Sequence, residues 1–389
     1  MANRTPLYEM HGALNARMFE FGGWEMPLWY TSIVDEHMTV RNAVGIFDAS
    51  HMGKLLISGK ECVKDFQSLV TRKLEKYSPG RCVYAHLLDG EGRIIDDMII
   101  TMISSDRLFV VCNAATRGKV VDWISSNSPR FDLKDVTMEY CCLAIQGPRM
   151  VELLDAVLDK SKDPSPLDMR RYHACLTKLT LPRASREKMD EFSWARGIAI
   201  GFDSPGIPAV VSRTGYTGED GIEIFAMRED TLQVWKSLLE LGKTHGMKPI
   251  GLGARDTLRL EMCYLLSGHD FDGSQTPLEA DAEFAIDWDH EFVGKERLEE
   301  QKRSGGYRRL VAFESVGKGI PREGYRLLSS SGKIIGSVTS GTMSPMLKVG
   351  IGMGYVPEEF SKPGTEIAYS VGEKSIAARI VEKPFLRKR

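Results

Sequence analysis

Residues Ser212–Phe225 read SRTGYTGEDGIEIF. The β-prone runs Ala209-Val210-Val211 before them and Ile222-Glu223-Ile224-Phe225 at their end predict a strand–turn–strand connection. Gly215, Gly218 and Gly221 recur at every third position, which opens conformations closed to other residues and lets the backbone approach a ligand. A phosphate cradle would pair such glycines with a lysine and a helix start. Glu219, Asp220 and Glu223 would instead repel phosphate. The stretch suits a ligand edge rich in N–H donors, because one carboxylate accepts two parallel hydrogen bonds. A pterin ring has such an edge. A solvated acidic hairpin without a ligand is the competing reading, and only the rest of the chain separates the two.

Working outward, 389 residues suffice for two or three domains with ample core. An apolar content of 42% and a charged content of 27% are those of an ordinary soluble protein. A net charge of −2 gives no general attraction to nucleic acid or anionic membrane, and no apolar run reaches the length of a span. Met1–Pro6 leads at once into folded-looking sequence, so no signal or transit segment is expected. The seven cysteines are odd in number and contain no C-x-x-C, which fits small buried hydrophobes in a reducing compartment. The expectation is a soluble intracellular protein.

Thr5-Pro6 has the character of a helix start, with Leu7, Met10, Leu14 and Met18 at helical spacing. Phe19–Tyr30, rich in aromatics around Gly22-Gly23, is read as a core-lining loop in preference to a stacking platform. Ser32 is expected to cap a helix that ends at Gly45. Cys82–Ala115 predicts three strands. The middle one, Ile94–Ile103, is apolar on both faces, as in a strand covered on both sides. At least one of Asp96 and Asp97 should therefore be protected, unless the strand end meets water. A short turn would bring Asn113, on the next strand, within a residue of lying opposite Asp97. Arg183–Asp203 is read as a surface loop.

Gly251–Asp256 opens a further helix. It imitates a dinucleotide fingerprint, but Asp256 stands in the third glycine's place and no parallel β-α-β unit surrounds it. A carboxylate site at Arg255 and a structural Arg255–Asp256 pair both remain open. After Ser304-Gly305-Gly306, short β-prone runs separated by Gly, Pro and Ser predict a small barrel or sandwich. The histidines and cysteines show no zinc spacing, no G-x-S-x-G occurs, and Ser330–Lys333 matches S-x-x-K only inside an apparent turn. Metal, serine-nucleophile and disulfide chemistry lack support. Acid/base or electrostatic catalysis by carboxylates near a nitrogen-rich ligand remains.

Several segments together resemble one family. They are FGGWEMPLW (Phe21–Trp29), FDASHMG (Phe47–Gly53), GRIIDD (Gly92–Asp97), Gln146-Gly147-Pro148, SRTGYTGEDGIE (Ser212–Glu223), GLGARDTLRLE (Gly251–Glu261), FVGKE (Phe292–Glu296) and SVTSGTMSP (Ser337–Pro345). Each is weak alone. In this order they are specific for the aminomethyltransferases, the T-proteins of the glycine cleavage system. The resemblance implies an α+β fold, a three-domain cloverleaf with a C-terminal β-barrel-like domain. Residues 1–275 would form the folate-binding region, two intertwined subdomains with strands 82–115 in the second. Residues 276–304 would connect it to a barrel at 305–389.

The resemblance also implies a reaction: an aminomethyl carbon passes from the lipoyl arm of a partner H-protein to tetrahydrofolate as cosubstrate, without metal. The family's catalytic carboxylate falls on Asp97, the second aspartate of GRIIDD. Folate contacts fall on Asn113, Tyr216, Glu223, Arg255 and Tyr264, with Tyr84, Met52 and Arg387 as further candidates. The expected partners are lipoylated H-protein and tetrahydrofolate, with neither nucleic acid nor membrane, in a monomer or weak dimer. The expected location is the cytoplasm, or the mitochondrial matrix if a transit peptide has been removed. Two features depart from the family pattern: Arg183–Asp203 looks long, and Ser267 stands where an aromatic residue is expected. Two alternatives carry less support. A folate-dependent demethylase of the same fold often lacks the aspartate found at Asp97, and a non-catalytic folate-binding helper would show a cysteine near Thr214–Gly218.

Overall fold

The computed structural model describes residues 2–127, 130–158, 166–181, 190–200 and 206–387. They form two compact units, one of residues 1–85 and 98–255, the other of 86–97 and 256–389. The chain crosses between them inside the strands Cys82–Leu88 and Ile94–Ser104 and the helix Leu252–Glu261.

In the first unit, the predicted strand–turn–strand forms from Ile207–Ser212 and Gly221–Met227, antiparallel, with Ser212 opposite Glu223. They lie inside a six-stranded sheet ordered Ala174–Leu179, Ile207–Ser212, Gly221–Met227, Tyr140–Gln146, Val44–Asp48 and Met247–Ile250. Alternate side chains sort into two cores. Leu143, Ile145, Val211, Ile222 and Ile224 pack with Val234, Trp235 and Leu238 of the helix Thr231–Gly242. Cys142, Val210 and Phe225 face the other way, toward Phe109 and Trp194. Covered on both faces, these strands are apolar at nearly every position. Each such Leu, Ile or Phe contributes roughly 1.5–3 kcal/mol by burial, so this sandwich dominates the unit.

Several local expectations change. The first helix is only Tyr8–Ala13; Asn15 takes a left-handed φ of 58°, and Met18 lies on a strand. Phe19–Tyr30 is no loop. Arg17–Phe21 and Trp24–Trp29 pair as a hairpin around Gly22-Gly23, both at positive φ. Ser32 caps its helix as expected, accepting from the Asp35 N–H at 3.1 Å. That helix stops at Asn42, and Gly45 belongs to the next strand. Within 183–203, the described part is only partly surface: Ser193, Arg196, Gly197 and Ala199 are exposed. Asp190–Ile198 is a 3-10 segment whose Phe192 and Trp194 join the core around Phe109, while 183–189 and 201–203 lie outside the described residues.

The five-stranded sheet runs Cys82–Leu88, Ile94–Ser104, Arg107–Cys112, Gly53–Ser58 and Asp132–Asp135, so the three predicted strands form in sequence order. In the second unit, Leu88 and Ile94 pack with Phe271, Leu278, Phe292 and Leu298. Beyond the helix Lys295–Ser304, six strands close a barrel in the order Arg309–Ser315, Gly350–Val356, Ile334–Met343, Arg326–Ser329, Glu366–Val371 and Lys374–Val381. Closure decides for a barrel over a sandwich, and Arg326–Ser329 is a strand the β-prone runs did not reveal. None of the seven cysteines is in a disulfide, and burial pushes the Cys82 and Cys175 thiols up to about 12. Among the described residues no helix is long and apolar enough to cross a membrane.

Candidate functional site

The Gly-rich turn is fixed from both sides. Inside, the buried Gln146 amide donates to the Thr214 carbonyl at 3.1 Å and accepts from the Thr217 hydroxyl at 2.9 Å. A Cβ on Gly215 would stand 2.1 Å from Gln146 Oε1, and one on Gly221 2.3 Å from its Nε2. Of the three glycines only Gly218 takes a positive φ, 81°. The every-third spacing thus reflects two close approaches to one glutamine and one left-handed position. Outside, Arg41 donates to the Thr217 carbonyl and to Glu219, each at 2.7 Å, and Arg213 holds Asp220 at 2.6 Å. Glu223 is different. It forms no ion pair among the described residues, and its half-buried carboxylate accepts from the Thr214 hydroxyl.

Arg255 sits in the first turn of the helix Leu252–Glu261. That turn is anchored by Gly251, whose N–H donates to Glu36 at 2.7 Å; a Cβ there would stand 2.3 Å from the Leu28 carbonyl. The Arg255 guanidinium stands 4.7 Å over the Tyr216 ring, which joins two of the expected ligand contacts. The alternative of an Arg255–Asp256 pair is set aside, because Asp256 accepts from Arg259 at 2.8 Å.

Met52 lies on the connection between Val44–Asp48 and Gly53–Ser58, and buried side chains clamp that connection. Lys54 Nζ donates to the carbonyls of Ser50 at 2.8 Å and Met52 at 2.7 Å, and Asp48 accepts from the Ser50 N–H at 2.9 Å. Asp48 also accepts from the Thr5 hydroxyl at 2.6 Å and lies 3.0 Å from His11 Nε2, while His11 Nδ1 is 2.8 Å from the Tyr30 hydroxyl. Burial alone would raise the Asp48 carboxyl. The hydrogen bond and charge of His11, with the bonds from Ser50 and Thr5, outweigh it and bring the group to about 2. Burial lowers the Lys54 ammonium below its usual range. Burial raises the Cys142 thiol, with the charges of Glu223 and Asp48 acting the same way and those of Lys54 and Arg255 against it.

The remaining candidates are distributed over both units. Tyr84 and Asn113 are half-buried in the first, on the strand Cys82–Leu88 and directly after Arg107–Cys112, where Cys112 faces Met98. In the second unit Asp96 is 0% exposed and Asp97, on the other face of the strand, is half-buried. Ser267 donates to Asp96 at 3.1 Å, which gives the departure from the family's aromatic residue a local purpose. Tyr264 follows the helix, its carbonyl accepting from Arg259 at 3.0 Å. Arg259 in turn is buried with Asp270 at 2.7 Å. Arg387 is exposed, pairs with Glu382, and lines a cleft of about 580 Å³ with Leu347, Arg379 and Phe385. Sequence reasoning missed Gln146, Arg41, Asp48 and Lys54 as supports. Gln146 and Asp48 stood inside family motifs without a role, and Lys54 was signalled only as a lysine inside the apolar run GKLLIS.

The arrangement has close counterparts. The GCVT N-terminal domain model matches residues 7–186 and 173–290, and the glycine cleavage T-protein C-terminal barrel domain matches 308–386. An aminomethyltransferase of Halothermothrix orenii is 38% identical over 98% of this chain and 99% of its own length; one of Symbiobacterium thermophilum is 38% identical over 99% and 97%. The crystal structure of glycine cleavage system aminomethyltransferase T from Bartonella henselae superposes with a TM-score of 0.85 at 27% identity, covering 99% of this chain and 98% of that one. Folate-dependent one-carbon transfer follows from this kinship, and the chain belongs to the aminomethyltransferase family, the T-proteins of the glycine cleavage system.

Proposed function

We propose that this chain moves the methylene carbon of an aminomethyl group from the lipoyl arm of H-protein to tetrahydrofolate. The carbon–sulfur and carbon–nitrogen bonds of the aminomethyl thioether break, and two bonds form to folate nitrogens. The two N–H protons pass to sulfur and to the departing nitrogen, giving methylenetetrahydrofolate, ammonia and dihydrolipoyl H-protein.

The observation that supports this reading is the disposition of the three acids in the turn. Arginines hold Glu219 and Asp220; among the described residues Glu223 is left without one, on a strand paired on both sides in the six-stranded sheet. In this reading Glu223 accepts the paired N–H donors of the pterin, and Arg255 with Tyr216 supplies a cation and an aromatic face. Met52, Tyr84 and Asn113 are further proposed folate contacts in the same unit, and Tyr264 and Arg387 are proposed contacts carried by the other. Asp97 orients the reacting nitrogen and stabilises the iminium character that develops as the thioether opens. Neither step requires a metal. The proposed working compartment is the cytoplasm, or the mitochondrial matrix if a transit peptide has been removed.

The test is ammonia release from aminomethyl-lipoyl H-protein with and without tetrahydrofolate. Fast release that requires both the folate and this chain is expected. Folate binding without stimulated release would overturn the transfer reaction.

A further inference from the structure

The cleft of about 580 Å³ in the second unit is lined mostly by apolar side chains, among them Leu347, Val381, Pro384 and Phe385. Its size is that of a small-ligand site, roughly 300–1,000 Å³. The segments that carry Leu347 and Phe385 are tied to one buried carboxylate. Glu261, 0% exposed, accepts from the Ser344 hydroxyl at 2.6 Å and the Met346 N–H at 3.2 Å, and its own carbonyl accepts from the Leu386 N–H at 3.2 Å. Lys383 Nζ adds a bond to the Leu310 carbonyl at 2.7 Å. Leu347 and Phe385 pack on the same cluster around Leu260. Apolar walls fixed in this way are preformed, so a ligand gains their burial without having to order them.

The charges of the lining select the ligand. Arg387 pairs with Glu382 and Arg379 with Glu366, so each cation of the cleft already has an acid beside it. Glu314, half-buried in the same lining, forms no ion pair among the described residues. A ligand that carries carboxylates, such as the tail of tetrahydrofolate, meets a net negative lining. An uncharged hydrocarbon chain that ends in an amine meets apolar walls and a carboxylate. We propose that this cleft receives the aminomethyl-lipoyl arm of H-protein, its chain against Leu347, Val381 and Phe385 and its amine offered the Glu314 carboxylate. The assignment rests on the function proposed above, in which Arg387, on the same cleft, contacts tetrahydrofolate. An arm lying there ends beside its acceptor.

The experiment compares the full chain with Val381→Trp, which crowds the cleft, and Glu314→Lys, which reverses its charge. Ammonia release gives KM for aminomethyl-lipoyl H-protein, and calorimetry gives the affinities for tetrahydrofolate and for unlipoylated H-protein. The expected result in both variants is a KM raised about tenfold, with the other two affinities within about twofold of the parent. An unchanged KM in both variants overturns the assignment alone. So does an equal loss of affinity for unlipoylated H-protein, which would make the cleft a contact for the protein body, or for tetrahydrofolate, which would make it part of the folate site. A parent chain that binds tetrahydrofolate and releases no ammonia overturns the proposed function and this assignment with it.

Discussion

The guanidinium of Arg255 stands 4.7 Å from the centre of the Tyr216 ring, joining the first turn of one helix to the Gly-rich turn. Such a contact is worth about 0.5–2 kcal/mol, depending on how dry it is. Arg255→Leu and Tyr216→Leu should each weaken tetrahydrofolate binding, and the double variant should lose less than the sum. Fully additive losses in the cycle would mean that the two residues meet the ligand independently.

Glu223→Gln keeps the shape and removes the charge. An amide cannot accept both N–H bonds of a donor edge, so Kd should rise roughly ten- to hundredfold, as expected for a charge-assisted bond of about 1.5–3 kcal/mol. Calorimetry with tetrahydrofolate decides it; an unchanged Kd would sink the assignment.

For Asp97→Asn the expected split is kinetic. Folate affinity should stay within about threefold, while ammonia release falls by two to four orders of magnitude, in keeping with lost electrostatic and proton-transfer contributions. Near-normal turnover would remove Asp97 from the chemistry.

Gly215→Ala should destabilise the chain by roughly 1–3 kcal/mol, because the new methyl would meet the Gln146 side chain at 2.1 Å. In a Gln146→Ala background the same change should cost far less. Equal penalties in both backgrounds, measured by urea unfolding, would show that something other than this approach constrains Gly215.

Stability should fall as the solution is acidified below neutrality. Burial lowers His51 and His86 from 6.5 to about 3, so the unfolded chain binds more protons than the folded one between those values. Each histidine therefore contributes stability that is present above 6.5 and lost as pH falls toward 3, about 2 kcal/mol of it by pH 5. The depressed Asp48 adds a further loss between 3.8 and about 2. Urea unfolding at pH 7 and pH 5 tests the sign, and His51→Leu should reduce the difference by about 2 kcal/mol.

What was legible in the sequence was local and periodic. A run apolar on both faces exposed the strand of Asp96 and Asp97, and Ser32 announced its helix. The failures have identifiable causes. Leu7, Met10, Leu14 and Met18 keep helical spacing, but Asn15 in a left-handed conformation ends the helix between them. Aromatic density in Phe19–Tyr30 obscured a Gly-Gly hairpin turn. Gly45 is small because Val40 and Ile250 would press on a side chain there, and not because a helix stops. The charged residues around Phe192 and Trp194 disguised two core aromatics. Candidate ligand residues surfaced through motifs; the supports Gln146 and Asp48 stood in motifs too, but nothing there gave their partners. Arg41 meets Glu219 from 178 positions away and Gln146 meets Thr214 from 68, and no local pattern encodes such partners.

The chain enters the second unit for residues 86–97, leaves it, and returns only at Asp256. During synthesis, the segment ending in Asp97 therefore emerges about 160 residues before the stretch that covers it. At ~5–20 residues per second this is a wait of roughly 8–30 s. Throughout that interval Leu88 and Ile94 lack Phe271, Leu278 and Leu298, the side chains that bury them in the finished protein. The strand of the candidate catalytic aspartate is thus among the earlier parts to be made and among the last to be completed. A nascent chain stalled before Asp256 displays a sticky, unfinished edge for chaperones to shield.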